Sequence, residues 1–294
     1  MPLLSLLRTL LILGRISNLP TVWTNVAVGW FLSGGAWTGE FALILLGMSL
    51  VYLAGMTLND AFDADWDRQH APQRPIPAGR VSSGAVWTAG SIEMLVGAGV
   101  LSGLTTASPL LAGGLVLAVL LYNVLHKRWA GSVVIMGFCR ALVYLGAGSA
   151  VAAHTRAIEL PGTLLLIAGG VVLYIAGLTL AARQEHLAAP PGLRRVPGMM
   201  LMLPVLFPLI LWRTMPGEVI WLATAVVGVL GVGAWLTRMR RALAERVPKG
   251  IAFAIAGIAF FDAAVVAFAD WRAALACLAA FVLTLGLQRL IPAT

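Results

Sequence analysis

Apolar residues gather into ten stretches along the chain, at about 16–33, 41–59, 82–101, 109–125, 132–152, 161–181, 196–212, 217–236, 249–268 and 273–290. Each covers about 17 to 21 residues, and a helix rising 1.5 Å per residue carries such a stretch across a hydrocarbon core of roughly 30 Å. The runs are unbroken: Leu164, Leu165, Leu166 and Ile167 lead straight on to Val171, Val172 and Leu173. A membrane barrel would instead alternate apolar and polar residues over strands of about ten. Because an unpaired backbone group in hydrocarbon is costly and a helix pairs its own, the pattern predicts an all-α, polytopic bundle.

The polar residues between these stretches give an orientation. Arg8 and Arg15 precede the first stretch, and Arg68, Arg74 and Arg80 follow the second. Lys127 and Arg128 follow the fourth; Arg183, Arg194 and Arg195 follow the sixth; and Arg238, Arg240, Arg241, Arg246 and Lys249 follow the eighth. The opposite connections hold only Arg156, Arg213 and Arg272. The positive-inside rule therefore puts the N-terminus and the basic connections in the cytoplasm, with the protein in the inner (plasma) membrane.

Composition agrees. Of 294 residues 60% are hydrophobic and 11% charged, against roughly a quarter charged in a soluble protein. A cleaved leader is not expected, because apolar character returns every twenty or thirty residues. The net charge of +8 lies on short connections with no soluble domain to form a basic face, which argues against a nucleic-acid partner. No linker divides the chain, so residues 1–294 are expected to form one membrane domain. Glycines such as Gly97, Gly99 and Gly103 are expected at close helix contacts. Trp23, Trp37, Trp87, Trp129, Trp221 and Trp271, near stretch ends, are expected at the interfaces. Cys139 and Cys277 read as small buried hydrophobes rather than a disulfide or zinc site.

The segment from Thr57 to Asp67 departs from this pattern. If the second helix continues through it, Asp60, Asp63 and Asp67 stand at i, i+3 and i+7 and share a face, with Asp65 roughly opposite. Stacked carboxylates repel one another unless a cation sits among them. Mg2+ prefers oxygen ligands and commonly binds through one or two carboxylates together with substrate phosphates. Arg68, Arg74 and Arg80 follow at once, and the arginine fork suits phosphate oxygens. Carboxylates, metal and arginine are thus expected to converge on a diphosphate; a solvated acidic loop with topological arginines is the other reading. Pro75, Pro77 and Gly79 make the connection turn-rich.

Further polar residues lie inside or near the apolar stretches: Asn25, Glu93, Asn123, Arg140 and Asp262. Ionisable groups there are costly and usually face a cavity or a partner. Arg140 is expected to meet substrate or a carboxylate, and Asp262 to pair with such an arginine or line a cavity. Glu93 reads as a cavity residue or a structural hydrogen-bond partner. With four histidines and no paired ligands, a histidine metal site at His126 is not expected.

The stretch Asn59-Asp60-Ala61-Phe62-Asp63-Ala64-Asp65-Trp66-Asp67 resembles the first aspartate-rich motif, NDxxDxxxD, of the UbiA superfamily of intramembrane prenyltransferases. The run from Arg74 to Arg80 is similar to its RPIPSGR-like continuation, and the run from Tyr122 to Arg128 to its Tyr-Ser/Thr-x-x-Leu-Lys-Arg stretch. The segment from Arg15 to Thr21 is similar to the start of its first helix, and the likeness in organisation covers nearly the whole chain. The resemblance implies a helical bundle around a central cavity; the family's nine-helix pattern beside the ten apolar stretches gives nine or ten transmembrane helices. It also implies Mg2+-dependent transfer of a prenyl group from a polyprenyl diphosphate to an aromatic or other lipophilic acceptor. Asp60, Asp63 and Asp67 would be catalytic metal ligands supported by Asn59. Arg68, Arg74, Asn123 and Lys127 join Asn25 and Arg140 as candidate substrate contacts. No particular protein partner is implied.

The second motif departs from the family pattern. Where a further acidic cluster usually follows the sixth helix, this chain has Arg183, Gln184 and Glu185. Arg183 is a candidate to neutralise the diphosphate in place of a second metal, and Glu185 a candidate lone ligand or base. The depleted motif also leaves open a noncatalytic protein of a divergent branch, associated with secondary-metabolite genes, that binds or moves a lipophilic precursor.

Overall fold

The computed structural model describes residues 3–155, 159–183 and 195–291. Its helices are α1 (Leu3–Leu13), α2 (Pro20–Leu32), α3 (Gly39–Phe62), α4 (Ala64–His70), α5 (Ser83–Gly103), α6 (Pro109–Leu125), α7 (Ser132–Thr155), α8 (Gly162–Arg183), α9 (Arg195–Met200), α10 (Phe207–Trp212), α11 (Val219–Glu245), α12 (Val247–Val266) and α13 (Trp271–Leu287). Among the described residues α3, α5, α7, α8, α11 and α12 are long and apolar enough to cross a bilayer, as befits a multipass membrane protein. α6 and α13, at 17 residues each, are shorter apolar helices.

Local chemistry sets many of the boundaries. The side chains of Thr38, Ser82 and Asp270 accept from the backbone N–H three residues on, at Phe41, Ala85 and Ala273, and so cap α3, α5 and α13. Pro20 and Pro109 occupy first-turn positions of α2 and α6, where the missing N–H costs nothing.

α2 lies at the centre. Nearly all its residues are buried, and it packs against α3, α7, α12 and α13, as expected for a helix apolar on every side. α3 packs along α5, α7 along α8, and α11 along α12. Large side chains such as Leu110, Leu166 and Val227 point outward, a placement that lipid, unlike water, does not penalise.

Several boundaries differ from the sequence pattern. The first stretch becomes a 3-10 turn at Ile16–Asn18 and then α2, because Arg15 has left-handed backbone (φ 42, ψ 51) that separates α1 from the turn. The stretch at 196–212 is not one helix: Pro204 and Pro208, each in the first turn of a new element, divide it into α9, a 3-10 turn at Leu203–Leu206, and α10. α11 continues to Glu245, placing Arg238, Arg240 and Arg241 on helix rather than loop.

Close helix approach depends on particular glycines. A Cβ on Gly97 would lie 2.9 Å from the backbone N of Val51 on α3, whereas Gly99 and Gly103 face open space and do not serve packing. The tightest contact is at Gly29, where a Cβ would lie 2.1 Å from the carbonyl oxygen of Tyr144 on α7. Backbone cannot yield as a side-chain tip does, so Gly29→Ala is expected to cost about 1–3 kcal/mol. Thermal unfolding of the purified protein should show a lowered midpoint for Gly29→Ala and an unchanged one for Gly99→Ala.

Candidate active site

The acidic segment folds as two helices meeting at a joint. α3 ends at Phe62, Asp63 occupies the junction, and α4 begins at Ala64. The backbone bonds from Asp63 N to Asn59 O and from Asp67 N to Asp63 O preserve the i to i−4 rhythm across it. Asp60, Asp63 and Asp67 consequently turn inward, at 6%, 4% and 3% exposure, while the Asp65 side chain is 93% exposed.

Four cationic or potentially cationic side chains meet the inward carboxylates. Arg74 Nη1 donates to Asp60 Oδ1 at 3.1 Å and lies 3.2 Å from Asp67 Oδ2, so one guanidinium nitrogen bridges two carboxylates. The turn-rich run after α4 brings Arg74 back over a residue 14 positions earlier. Arg15 Nη2 donates to Asn59 Oδ1 at 3.2 Å and lies 3.8 Å from Asp60 Oδ1. Asp63 Oδ2 is 3.2 Å from His126 Nε2 and 3.4 Å from Lys127 Nζ. Burial alone would push the Asp63 carboxyl up, but the hydrogen bond and charge of His126 and then Lys127 reverse this and hold it below the usual carboxylate range. Asp67 lies above that range, because burial and the charge of Asp63 outweigh Arg74.

Asn59 and Asn123 tie this site to the interior. Asn59 Nδ2 donates to Asn123 Oδ1 at 3.2 Å, and Asn123 Nδ2 donates to the Gly55 carbonyl at 3.1 Å. Asn123 and Arg15 also line a cavity of about 230 Å³ enclosed by α2, α3, α6, α7, α8 and α12. Its wall is largely apolar, with Met48, Val51, Val143 and Ile258 among its residues, and Tyr52 and Arg140 add polar groups. Arg15 and Asn123 thus stand between the carboxylates and the apolar cavity.

A second polar cluster lies within the bundle. The Asp262 carboxylate accepts from Thr24 Oγ1 at 2.6 Å, Asn25 Nδ2 at 2.8 Å and Tyr144 OH at 2.6 Å. Arg140 Nη1 donates to Asn25 Oδ1 at 2.7 Å. Asn25 is fully buried and positions Arg140 instead of lining the cavity itself. The expected Arg140–Asp262 partnership is thus indirect, through the two ends of one asparagine amide.

Other sequence-derived candidates fall elsewhere. Arg68 pairs with Asp65 on the exposed side of α4, because it lies three residues from Asp65 and only one from Asp67. Glu93 stays outside both clusters, with one carboxylate oxygen buried and unpaired. Gln184 and Glu185 lie outside the described residues. Arg183 does not reach the carboxylates. Its guanidinium donates to the carbonyls of His126, Trp129 and Ala130 and to Ser132 Oγ, all in the turn that joins α6 to α7.

Arg183 thereby fixes the turn that carries His126 and Lys127. Arg183→Ala is expected to weaken binding of a diphosphate probe by about tenfold, through lost positioning worth about 1.5 kcal/mol. Isothermal titration measures it, and Lys127→Ala combined with Arg183→Ala should add little to Lys127→Ala alone.

Sequence reasoning missed Arg15 and His126. The left-handed backbone of Arg15, which costs about 1–2 kcal/mol, was not legible, although its position just before an apolar stretch was. His126 stands three residues after Asn123 at a helix end, and that shared face was the available signal.

The residues present fit a hard divalent cation. The donors are carboxylate and amide oxygens, and Arg74 already places a cationic centre within 3.2 Å of two carboxylates. Among the described residues no three Asp, Glu, His or Cys side chains form a chelating group by themselves. Two carboxylates completed by phosphate oxygens and water is the ordinary Mg2+ pattern.

A model of the UbiA prenyltransferase family matches residues 18–249. A digeranylgeranylglyceryl phosphate synthase from Korarchaeum cryptofilum (strain OPF8) is 43% identical over 54 residues, a stretch spanning 18% of this chain and 19% of that relative. An apo structure of a UbiA homolog from Aeropyrum pernix K1 superposes with a TM-score of 0.69 at 18% identity, over 84% of this chain and 96% of the other. A UbiA homolog from Archaeoglobus fulgidus bound to GPP and Mg2+ gives 0.59 at 15% identity, over 87% of this chain and 99% of the other. At these identities the structural likeness establishes the fold.

Proposed function

The chain belongs to the UbiA prenyltransferase family, and from that premise we propose that it catalyses Mg2+-dependent transfer of a prenyl group from a polyprenyl diphosphate to an aromatic or other lipophilic acceptor. The observation that carries this reading is the meeting of Asp60, Asp63 and Asp67 with Arg15, Arg74, His126 and Lys127 beside an apolar cavity. The Archaeoglobus relative with bound GPP and Mg2+ supports the same ligand chemistry.

Asp60, Asp63 and Asp67, with Asn59 behind them, would hold Mg2+, which when bound neutralises charge on the diphosphate as the allylic carbon–oxygen bond breaks. Arg74 and Lys127 exchange carboxylate partners for phosphate oxygens, and Arg15 keeps Asn59 and Asp60 in place. The apolar wall receives the prenyl chain and keeps water from the allylic cation until the acceptor's nucleophile captures it and releases a proton.

In this reading the acidic end of the bundle and the N-terminus face the cytoplasm, in the inner membrane. The apolar stretches of one membrane domain make nine or ten crossings. We read the changed second motif as the mark of a divergent branch of the family. Binding without transfer is the second reading, favoured by Arg183, which is engaged with the turn after α6 where the family usually has carboxylates.

Incubation of the purified protein with C5 to C20 allylic diphosphates, Mg2+ and a membrane lipid extract separates the two. A new product, heavier by the prenyl unit and absent without Mg2+, is expected. Diphosphate binding with no such product across the series favours binding alone.

A further inference from the structure

A second cavity, of about 550 Å³, lies outside the central one, between α11, α12 and α13. Lys249 and Phe253, four residues apart and so on one side of α12, line it. Ile251, Ile255 and Ile258 of the same helix line the central cavity instead. α12 therefore stands between the two. Gln288 forms part of the wall, and its Nε2 donates to the Ala252 carbonyl at 3.2 Å and to Asn18 Oδ1 at 3.4 Å. Asn18 belongs to the turn that follows Arg15, so this cavity lies at the end of the bundle that carries the acidic site.

Three helices each bring a cation to it: Arg238 from the last third of α11, Lys249 from the first turn of α12 and Arg289 from just beyond α13. Lys249 Nζ lies 2.9 Å from Glu245 Oε2 in an exposed pair, which contributes little. Among the described residues neither Arg238 nor Arg289 has a carboxylate within ion-pair distance. Like charges gathered around one cavity repel one another unless an anion sits among them. Membrane topology alone does not ask for this arrangement. The positive-inside bias requires only basic residues in the connection, and Arg240, Arg241 and Arg246 meet it without lining the cavity.

The surface beyond the cations gives the other half of the ligand. Trp235 of α11 stacks on Phe253 of α12 with ring centres 5.1 Å apart and meets Phe281 of α13 edge-on at 4.8 Å. Val227 stands eleven residues before Arg238 and shares its side of α11, while Leu278 and Val282 stand seven and three residues before Leu285, which lines the cavity from α13. All three of these apolar side chains are exposed. A ligand with an anionic head among the arginines and an apolar body along Val227, Leu278 and Val282 is an amphiphile. A soluble phosphate would leave that apolar surface unused.

We propose that this cavity binds an anionic phospholipid, with its phosphate held by Arg238, Lys249 and Arg289 and its acyl chains along α11 and α13. The arginine fork suits phosphate oxygens, and basic pockets between membrane helices are suited to anionic headgroups. A zwitterionic phospholipid would bring an ammonium group to the same three cations, so the site selects a headgroup of net negative charge. The site stands apart from prenyl transfer, on the far side of α12 from the central cavity.

The test is native mass spectrometry of the full chain in detergent, titrated with dioleoyl phosphatidylglycerol, dioleoyl phosphatidylcholine or glycerol 3-phosphate. In the wild type the first phosphatidylglycerol is expected to bind about tenfold tighter than the first phosphatidylcholine. Arg238→Gln combined with Arg289→Gln is expected to bring the two lipids to equal affinity. Both arginines are exposed, so the fold does not depend on burying them. Arg240→Gln combined with Arg241→Gln removes the same charge at the same end of the bundle and is expected to leave the preference intact.

Equal affinity for the two lipids in the wild type overturns the proposal. An equal loss of preference in the two paired variants overturns it as well, because it assigns the preference to the general positive field of this end. Glycerol 3-phosphate that binds as tightly as phosphatidylglycerol, and is lost with Arg238 and Arg289, makes the ligand a soluble phosphate and overturns the lipid assignment.

Discussion

Asp63→Ala is expected to abolish Mg2+-dependent turnover, by about 10³-fold or more, while the protein still inserts and folds. Asp63 is the joint between α3 and α4, and His126 and Lys127 hold its carboxylate in the charged form. Its loss removes a proposed metal ligand and leaves two basic side chains without their partner. No apolar packing is lost, so size-exclusion behaviour and helicity should match the wild type. Asp65→Ala, on the exposed side and paired with Arg68, should keep near-normal turnover, because an exposed ion pair contributes little. A purified Asp63→Ala protein that turns over normally would falsify the assignment of this face to the metal and diphosphate.

The second large effect is expected on stability. Asp262→Leu leaves Thr24, Asn25 and Tyr144 without a common acceptor and removes the negative charge that balances Arg140 through Asn25. Breaking a buried charged network by removing one member costs about 3–5 kcal/mol. The midpoint of thermal unfolding should fall well beyond the shift for Gly29→Ala. Asp262→Asn keeps one carbonyl acceptor and should lose less. Equal midpoints for Asp262→Leu and wild type would mean that this network does not hold α2, α7 and α12 together.

Parts of this site were legible in the sequence because they depend on local geometry. Asp60, Asp63 and Asp67 share a side for the same reason that Asp65 does not: 100° per residue persists through the joint at Asp63. Turn chemistry around Pro75, Pro77 and Gly79 was visible as well, but not that it returns Arg74 to Asp60 and Asp67 while Arg68 turns outward. That outcome depends on the angle between α4 and the turn-rich run after it, which periodicity does not encode.

Long-range partnerships were the illegible part. Arg15 and Asn59 are 44 residues apart, His126 and Asp63 63 apart, and Asn25 and Asp262 237 apart. The sequence marked Asn25, Arg140 and Asp262 individually as costly in hydrocarbon, yet their common network appears only when α2, α7 and α12 pack together. Arg183 is a further case: its charge alone suggests a partner for diphosphate, whereas its donors meet the turn between α6 and α7, a placement set by how α8 packs beside that turn. The broken segment at 196–212 has a similar origin, since uniform hydropathy concealed what Pro204 and Pro208 do to a helix.

The proposed role of the buried carboxylate face is to take a diphosphate through a divalent cation. Equilibrium binding of geranyl diphosphate to the purified wild-type chain, with Mg2+ and with EDTA, tests it most directly, beside the same titration of Asp60→Ala. Binding is expected to be at least about tenfold tighter with Mg2+, with no Mg2+ dependence in Asp60→Ala. Equal affinity with Mg2+ and with EDTA in the wild type would contradict it.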